Sequence, residues 1–236
     1  MRTFRTDLVA VLMLGVALLF AAGSAQADPV QAAGTVTLVA GHATAATSSG
    51  EIRNLFRGGK VYPGETLITA SSSYMNVEFS DGGRVLLRPE SRFVIERYQY
   101  DTKAASETTS NTETQHESAF FRLLKGGFRA VSGLIGHVRR QDYSVQTPVA
   151  TIGIRGTDYE VRYCAGDCAD IQPTPKDGLY AGVQSGGIAL TNQNGQVTAL
   201  AGQFTYVAGA QVAPIPLPLR PPALGKNPLP DPRTCN

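Results

Sequence analysis

Two cysteines with three residues between them, Cys164-Ala165-Gly166-Asp167-Cys168, are the first candidates for chemistry in this chain. In an oxidising compartment such a pair reads first as a disulfide. Closing so short a loop would constrain the unfolded chain by about 2 kcal/mol. A thiol redox site usually keeps two residues between its cysteines, and a metal site would want two more soft ligands. Asp167 and Asp170 are close by, but His42, His116 and His137 are scattered. The expectation is a structural bridge, with no metal and no cofactor. Cys235 is left over. It stays open as a free thiol, as a link between chains, or as a replacement for one of the two.

The second candidate is Arg155, inside Thr147-Pro148-Val149-Ala150-Thr151-Ile152-Gly153-Ile154-Arg155-Gly156-Thr157. The stretch reads as a buried strand, because Ile152 and Ile154 alternate with Thr151, Gly153, Arg155 and Thr157. Gly153 and Gly156 suggest close backbone approach or a bend. A charge between them needs a partner or a route to water. Arg155 therefore has two readings. It is a structural arginine bonded to carbonyls and to a carboxylate such as Asp158 or Glu160, or one far away in sequence, or it marks an anion site. Crowding by the glycines favours the structural role, so Arg155→Leu is expected to unfold or aggregate the domain. Thr147, Pro148, Gly153, Arg155, Gly156 and Thr157 are read together as a structural motif.

Other constellations point away from catalysis. Ser132-Gly133 and Ser185-Gly186 do not sit in a Gly-x-Ser-x-Gly elbow. The Gly pairs lack the strand, loop and helix that cradle phosphate. The expectation is that the chain is not an enzyme.

The elements that must position these residues are short strands. Thr35 to Gly41 alternates apolar and polar residues, and Ala43 to Glu51 reads as a loop. Pro63-Gly64 and Asp81-Gly82-Gly83 are turn signals. Met75, Val77 and Phe79 fall on one strand face, continued by Val85 and Leu87, then by Phe93 and Ile95. Tyr100 to Ser118 is polar without periodicity and reads as a solvated loop insert. Order returns at Ala119 to Arg129. Leu123 to Gly127 echoes Leu55 to Gly59, and Val183 to Leu190 is a third echo, a degenerate hint of a repeat. Asn194-Gly195 signals a hairpin, and Gly202 to Val207 a closing strand. Eight of the 14 prolines lie between Pro214 and Pro232. That tail is expected to lie stiffly on the surface or free in solvent, in extended polyproline geometry.

Composition sets the remaining limits. Arg2 and Arg5, the apolar run Leu8 to Phe20, and Ala25-Gln26-Ala27 form a secretion signal with a cleavage site before Asp28. The run of 13 residues is short for a membrane span of about 20. Without residues 1–27 the chain keeps 209 residues, 19 basic and 18 acidic. That near-balance argues against nucleic acid or an anionic membrane as partner. With Gly at 25, Pro at 14 and no Trp, the composition suits an all-β chain of many turns. An irregular β-solenoid-like stack and a distorted sandwich of short strands both fit.

Four motifs in order resemble the FecR domain family, named for periplasmic regulators of iron-dicitrate uptake. They are Gly64-Glu65-Thr66-Leu67-Ile68-Thr69, Val77-Glu78-Phe79-Ser80-Asp81-Gly82-Gly83, Leu87-Arg88-Pro89-Glu90-Ser91, and the stretch Thr147 to Thr157. The resemblance covers residues 34–163. It implies an all-β, solenoid-like periplasmic domain that binds and signals and does not catalyse. Regulators of that type carry a cytoplasmic anti-sigma segment ahead of the domain, which this sequence leaves no room for. The chain thus looks like a stand-alone secreted member.

The expected organisation is a signal peptide over 1–27, a FecR-like β domain over 28–210 with an extension from 164, and a Pro-rich tail over 211–236. The expected role is a periplasmic or secreted module that binds an envelope protein partner, with no membrane span after cleavage. The alternative is a structural or glycan-associated envelope β protein.

Overall fold

The computed structural model describes residues 30–100 and 117–225. Contacts separate two units, Met1–Val30 and Gln31–Asn236, and every element below belongs to the second. The expected secretion signal, most of the polar insert and Cys235 fall outside the described residues.

Short strands follow one another along the chain. The first eight are β1 (Gly34–Ala40), β2 (Ala43–Ala46), β3 (Ile52–Asn54), β4 (Lys60–Val61), β5 (Thr66–Thr69), β6 (Tyr74–Phe79), β7 (Arg84–Leu87) and β8 (Arg92–Gln99). Then come the long β9 (Ser118–Val131) and a one-turn helix, α1 (Leu134–Val138). After it lie β10 (Tyr143–Gln146), β11 (Thr151–Ile154), β12 (Asp158–Cys164), β13 (Gly178–Ser185), β14 (Gly187–Asn192), β15 (Gly195–Leu200), β16 (Phe204–Val207) and β17 (Ile215–Leu217).

The strands form two ladders that share β9. One runs β4-β1-β6-β7-β9-β12-β13-β16-β17. The other runs β3-β2-β5-β8-β9-β10-β11-β14-β15. Every pairing is antiparallel except β9 with β10. The first half of β9 pairs with β8 and β10, and the second half with β7 and β12. Gly126 makes the transfer between ladders, with φ +80. A Cβ there would stand 2.6 Å from Ser91 Cα, so only glycine fits. Ser91 Oγ locks the bend, accepting from Gly127 N at 2.9 Å and donating to Gly127 O at 2.8 Å.

Alternation along each strand turns one face of each ladder onto a common core. Phe93 and Phe121 from one ladder meet Phe79 and Phe128 from the other, with ring centroids 5.1 to 5.4 Å apart. Tyr143 and Tyr159 hydroxyls bond across the core at 2.9 Å. The all-β expectation therefore holds.

Four local readings are corrected. Ala43 to Ala46 is a strand, not a loop, with Ala43 and Ala45 buried. Its side chains are too small to give a strong periodic signal. The stretch Thr147 to Thr157 is not one buried strand: only Thr151–Ile154 is extended, and turns flank it on both sides. The three Gly-pair echoes occupy a β3–β4 turn, the interior of β9 and the β13–β14 turn, so they are not one repeated unit. The Pro-rich tail, as far as it is described, is packed. Ile215–Leu217 pairs with β16, and Leu224 is fully buried. Pro216 stands opposite Thr205 on the edge strand, a position where proline is tolerated.

Candidate functional site

β12 carries three charged residues, Asp158, Glu160 and Arg162. Tyr159 and Val161 are fully buried in the core. Asp158, Glu160 and Arg162 alternate with them and so point to the opposite face. That face is nonetheless buried, at 9%, 2% and 9% exposure, because the C-terminal segment lies over it. Ala223 and Leu224 pack there with Tyr180 and the Cys164–Cys168 bridge. Buried charges need partners, so the neighbourhood is built around them.

Each acid on this face is held by arginine. Asp158 takes a two-pronged bond from Arg129 of β9, Nε to Oδ1 at 2.9 Å and Nη2 to Oδ2 at 2.7 Å. The planar guanidinium fork matches the carboxylate. Glu160 receives Arg88 Nη2 at 2.7 Å and Arg220 Nη1 at 2.5 Å. Gln184 Nε2 donates to it at 3.4 Å. Arg88 reaches in from the turn after β7, whose Glu90 has φ +56. Arg220 comes from the segment after β17, lies over the Phe204 ring and donates to Gly225 O at 2.7 Å. Burial lowers the Arg88 pKa, Glu160 opposes that, and Arg162 and Arg220 add to the lowering.

Arg162 differs from the others. Its Nε donates to Cys168 Sγ at 3.4 Å, and no carboxylate among the described residues pairs with it. Gly127 leaves room for it, since a Cβ there would meet Arg162 Cδ at 3.0 Å and Val161 O at 2.5 Å. Arg88 and Arg162 both line an open cleft of about 730 Å³. Ser71, Ser72 and Tyr74 stand along the same cleft, and Glu90, Asp167 and Asp170 also border it. Lys125 faces two of those acids, Glu90 at 4.0 Å and Asp167 at 3.8 Å. The arrangement can hold an anionic group against fixed guanidinium donors. Among the described residues no cluster of three or more His, Cys, Asp or Glu could hold a metal ion.

The motif residues singled out in the sequence lie elsewhere, and two of them, Thr147 and Thr157, make side-chain hydrogen bonds. Thr147 Oγ1 closes a turn, accepting from Ala150 N at 3.0 Å and donating to Ala150 O at 2.7 Å. Pro148 is exposed in that turn. Gly153 has open space where a Cβ would be, so no close approach explains it. Gly156 does meet one: φ is +58, and a Cβ would lie 2.7 Å from His137 Nδ1. Thr157 is buried and ties three segments, with N donating to Ser132 Oγ at 2.8 Å and Oγ1 to Gly187 O at 2.7 Å.

Arg155 is corrected. Its side chain is exposed, and its backbone N donates to Gly187 O and Thr157 Oγ1. The carboxylates expected beside it, Asp158 and Glu160, belong to Arg129, Arg88 and Arg220. The disulfide expectation holds: Cys164 and Cys168 are bonded, with S–S 2.08 Å.

Sequence reasoning passed over Arg88, Arg162 and Arg220 as site residues and named Glu160 only as a partner for Arg155. A signal existed for three of these four. Arg88 sits inside one of the quoted motifs, and Glu160 and Arg162 share a strand face at i and i+2. Nothing in the Pro-rich segment marked Arg220.

Comparison with known proteins adds a family to this geometry. Residues 65–169 match the family described as FecR protein. The resemblance read from the motifs is thus borne out, though the match begins later than residue 34 and runs on through both cysteines. It contains Arg88, Glu160 and Arg162 but not Arg220, β17 or Leu224. Two crystal structures of a candidate anti-sigma factor from Parabacteroides distasonis are also similar to this chain. Each is 14% identical, over 64% of this chain, with TM-scores of 0.44 and 0.45. This chain spans 58% of the length of those proteins. No curated protein matches the chain.

Proposed function

We propose that this chain is a FecR-type signalling or sensing module of the cell envelope, which acts by binding a protein partner and not by catalysis. The observation that carries this reading is the FecR match over residues 65–169. Two features support the location. The N-terminal residues have the charge, apolar run and small-residue site of a secretion signal. The Cys164–Cys168 bond suits an oxidising compartment.

The ladder edges are the natural contact surface. Among the described residues β15 pairs with β14 alone, and Gln196, Thr198 and Leu200 are exposed along it. A strand edge offers unpaired backbone donors and acceptors to an incoming strand. Affinity capture of the tagged protein from fractionated native cells tests the reading. One envelope protein retained in fixed ratio is the expected result. Enrichment in the cytoplasm, or a substrate turned over without a retained protein, would contradict it.

A further inference from the structure

We infer that the cleft floored by Arg88 and Arg162 binds a small solute through an oxyanion group, a carboxylate or a phosphate. This goes beyond the protein-binding role proposed above and does not depend on it.

The charge balance of the buried floor points to an anion. Arg88 and Arg162 are 8% and 9% exposed, and Glu160 is 2% exposed. Glu160 is the one carboxylate bonded to this arginine set, and Arg220 also claims it. Three guanidiniums therefore share a single negative charge. Arg162 is left with a disulfide sulfur as its bonded neighbour, and sulfur is a weak acceptor. A guanidinium this buried gains most from a planar pair of oxygens, which its fork can meet with two parallel bonds.

The shape agrees. At about 730 Å³ the cleft lies within the range of small-ligand sites. Ser71, Ser72 and Tyr74, which carry neutral hydroxyls, also line the cleft. Three acids also line the cleft. Lys125 faces Glu90 and Asp167, and Asp170 is exposed to solvent, where its charge is screened. Asp167 Oδ2 is buried without a hydrogen-bond partner, so the cleft carries both signs, with Arg88 and Arg162 as its buried cations. Ala223 and Gly225 line the cleft with the FecR-matched residues, so the C-terminal segment completes the site.

Isothermal titration of the purified protein with succinate, and separately with inorganic phosphate, tests the inference. Saturable heat with at least one of them is expected, and which one identifies the source of the oxyanion. Arg162→Gln is expected to weaken that binding at least tenfold. Arg162→Lys keeps the charge but loses the fork, and is expected to weaken it as well. Ser72→Asp reaches the cleft from an exposed turn at φ +54, a conformation that aspartate tolerates. It should fold normally and still weaken binding by placing a negative charge at the mouth. No heat from either anion, or equal binding by wild type and all three variants, would overturn the proposal.

Discussion

At the residue scale, a few buried polar groups hold this fold in its particular form. Glu160 is the clearest. Its carboxylate joins Arg88 from the β7 turn and Arg220 from the C-terminal segment, two parts of the chain far apart in sequence. Glu160→Gln would leave both guanidiniums without their counter-charge. Breaking a buried pair from one side costs about 3–5 kcal/mol, and denaturant unfolding should read a loss of that size. A loss below about 1 kcal/mol would mean that solvent already screens the pair. Arg155→Leu is the contrasting case. Because that side chain is exposed, its effect should stay within about 0.5 kcal/mol in the same assay.

The tyrosine pair in the core makes a pH prediction. Burial raises the pKa of Tyr143 and Tyr159, so both stay protonated in the fold at pH values where the unfolded chain ionises. Their contribution is fully present below a pH of about 10 and is lost as pH rises towards the folded-state values. Tyr143→Phe with Tyr159→Phe removes that titration. The alkaline unfolding midpoint of the double variant should therefore move to higher pH, and an unmoved midpoint would contradict the assignment. Little of this was legible beforehand. The alternation of Tyr159 and Val161 with charged residues along β12 was not read from the sequence. The i, i+2 spacing of Glu160 and Arg162 is a local trace of a shared face, but the burial of that face by a remote segment is not, and so Arg155 drew attention where Arg162 did not.

At the element scale, legibility followed side-chain size. The β6–β7 hairpin was readable because Met75, Val77 and Phe79, then Val85 and Leu87, are large and alternate around an Asp-Gly-Gly turn. The β14–β15 hairpin was readable from Asn194-Gly195. β2 was not, since its alternation is of alanine and threonine. β17 was hidden by proline, which removes a backbone donor but leaves an edge position open. That segment has an energetic role. Leu224 is fully buried beside Gly182, whose missing side chain makes room for it. Leu224→Ala should cost about 2–5 kcal/mol, as core truncations do. Thermal unfolding that matches wild type would show instead that residues 215–225 rest loosely on the sheet.

At the scale of the whole molecule, two ladders share β9 and one core, and each ladder ends in short outer strands. β3 and β15 end one ladder, and β4 and β17 end the other. Of these, β15 is the longest and its outer residues are exposed. An edge of this kind invites a partner strand unless something covers it. The FecR match over residues 65–169 supports the proposed signalling role, and the β15 edge is where that proposal places the partner. The most direct measurement is photo-crosslinking in the native envelope from a probe placed at Thr198, with a control probe at Thr47 on the surface of another loop. The expected result is one protein crosslinked from position 198 and not from 47, and lost when Gln196 and Leu200 are both changed to Lys. Crosslinks that are the same from both positions, or none above background from either, would contradict a protein-binding role for this chain.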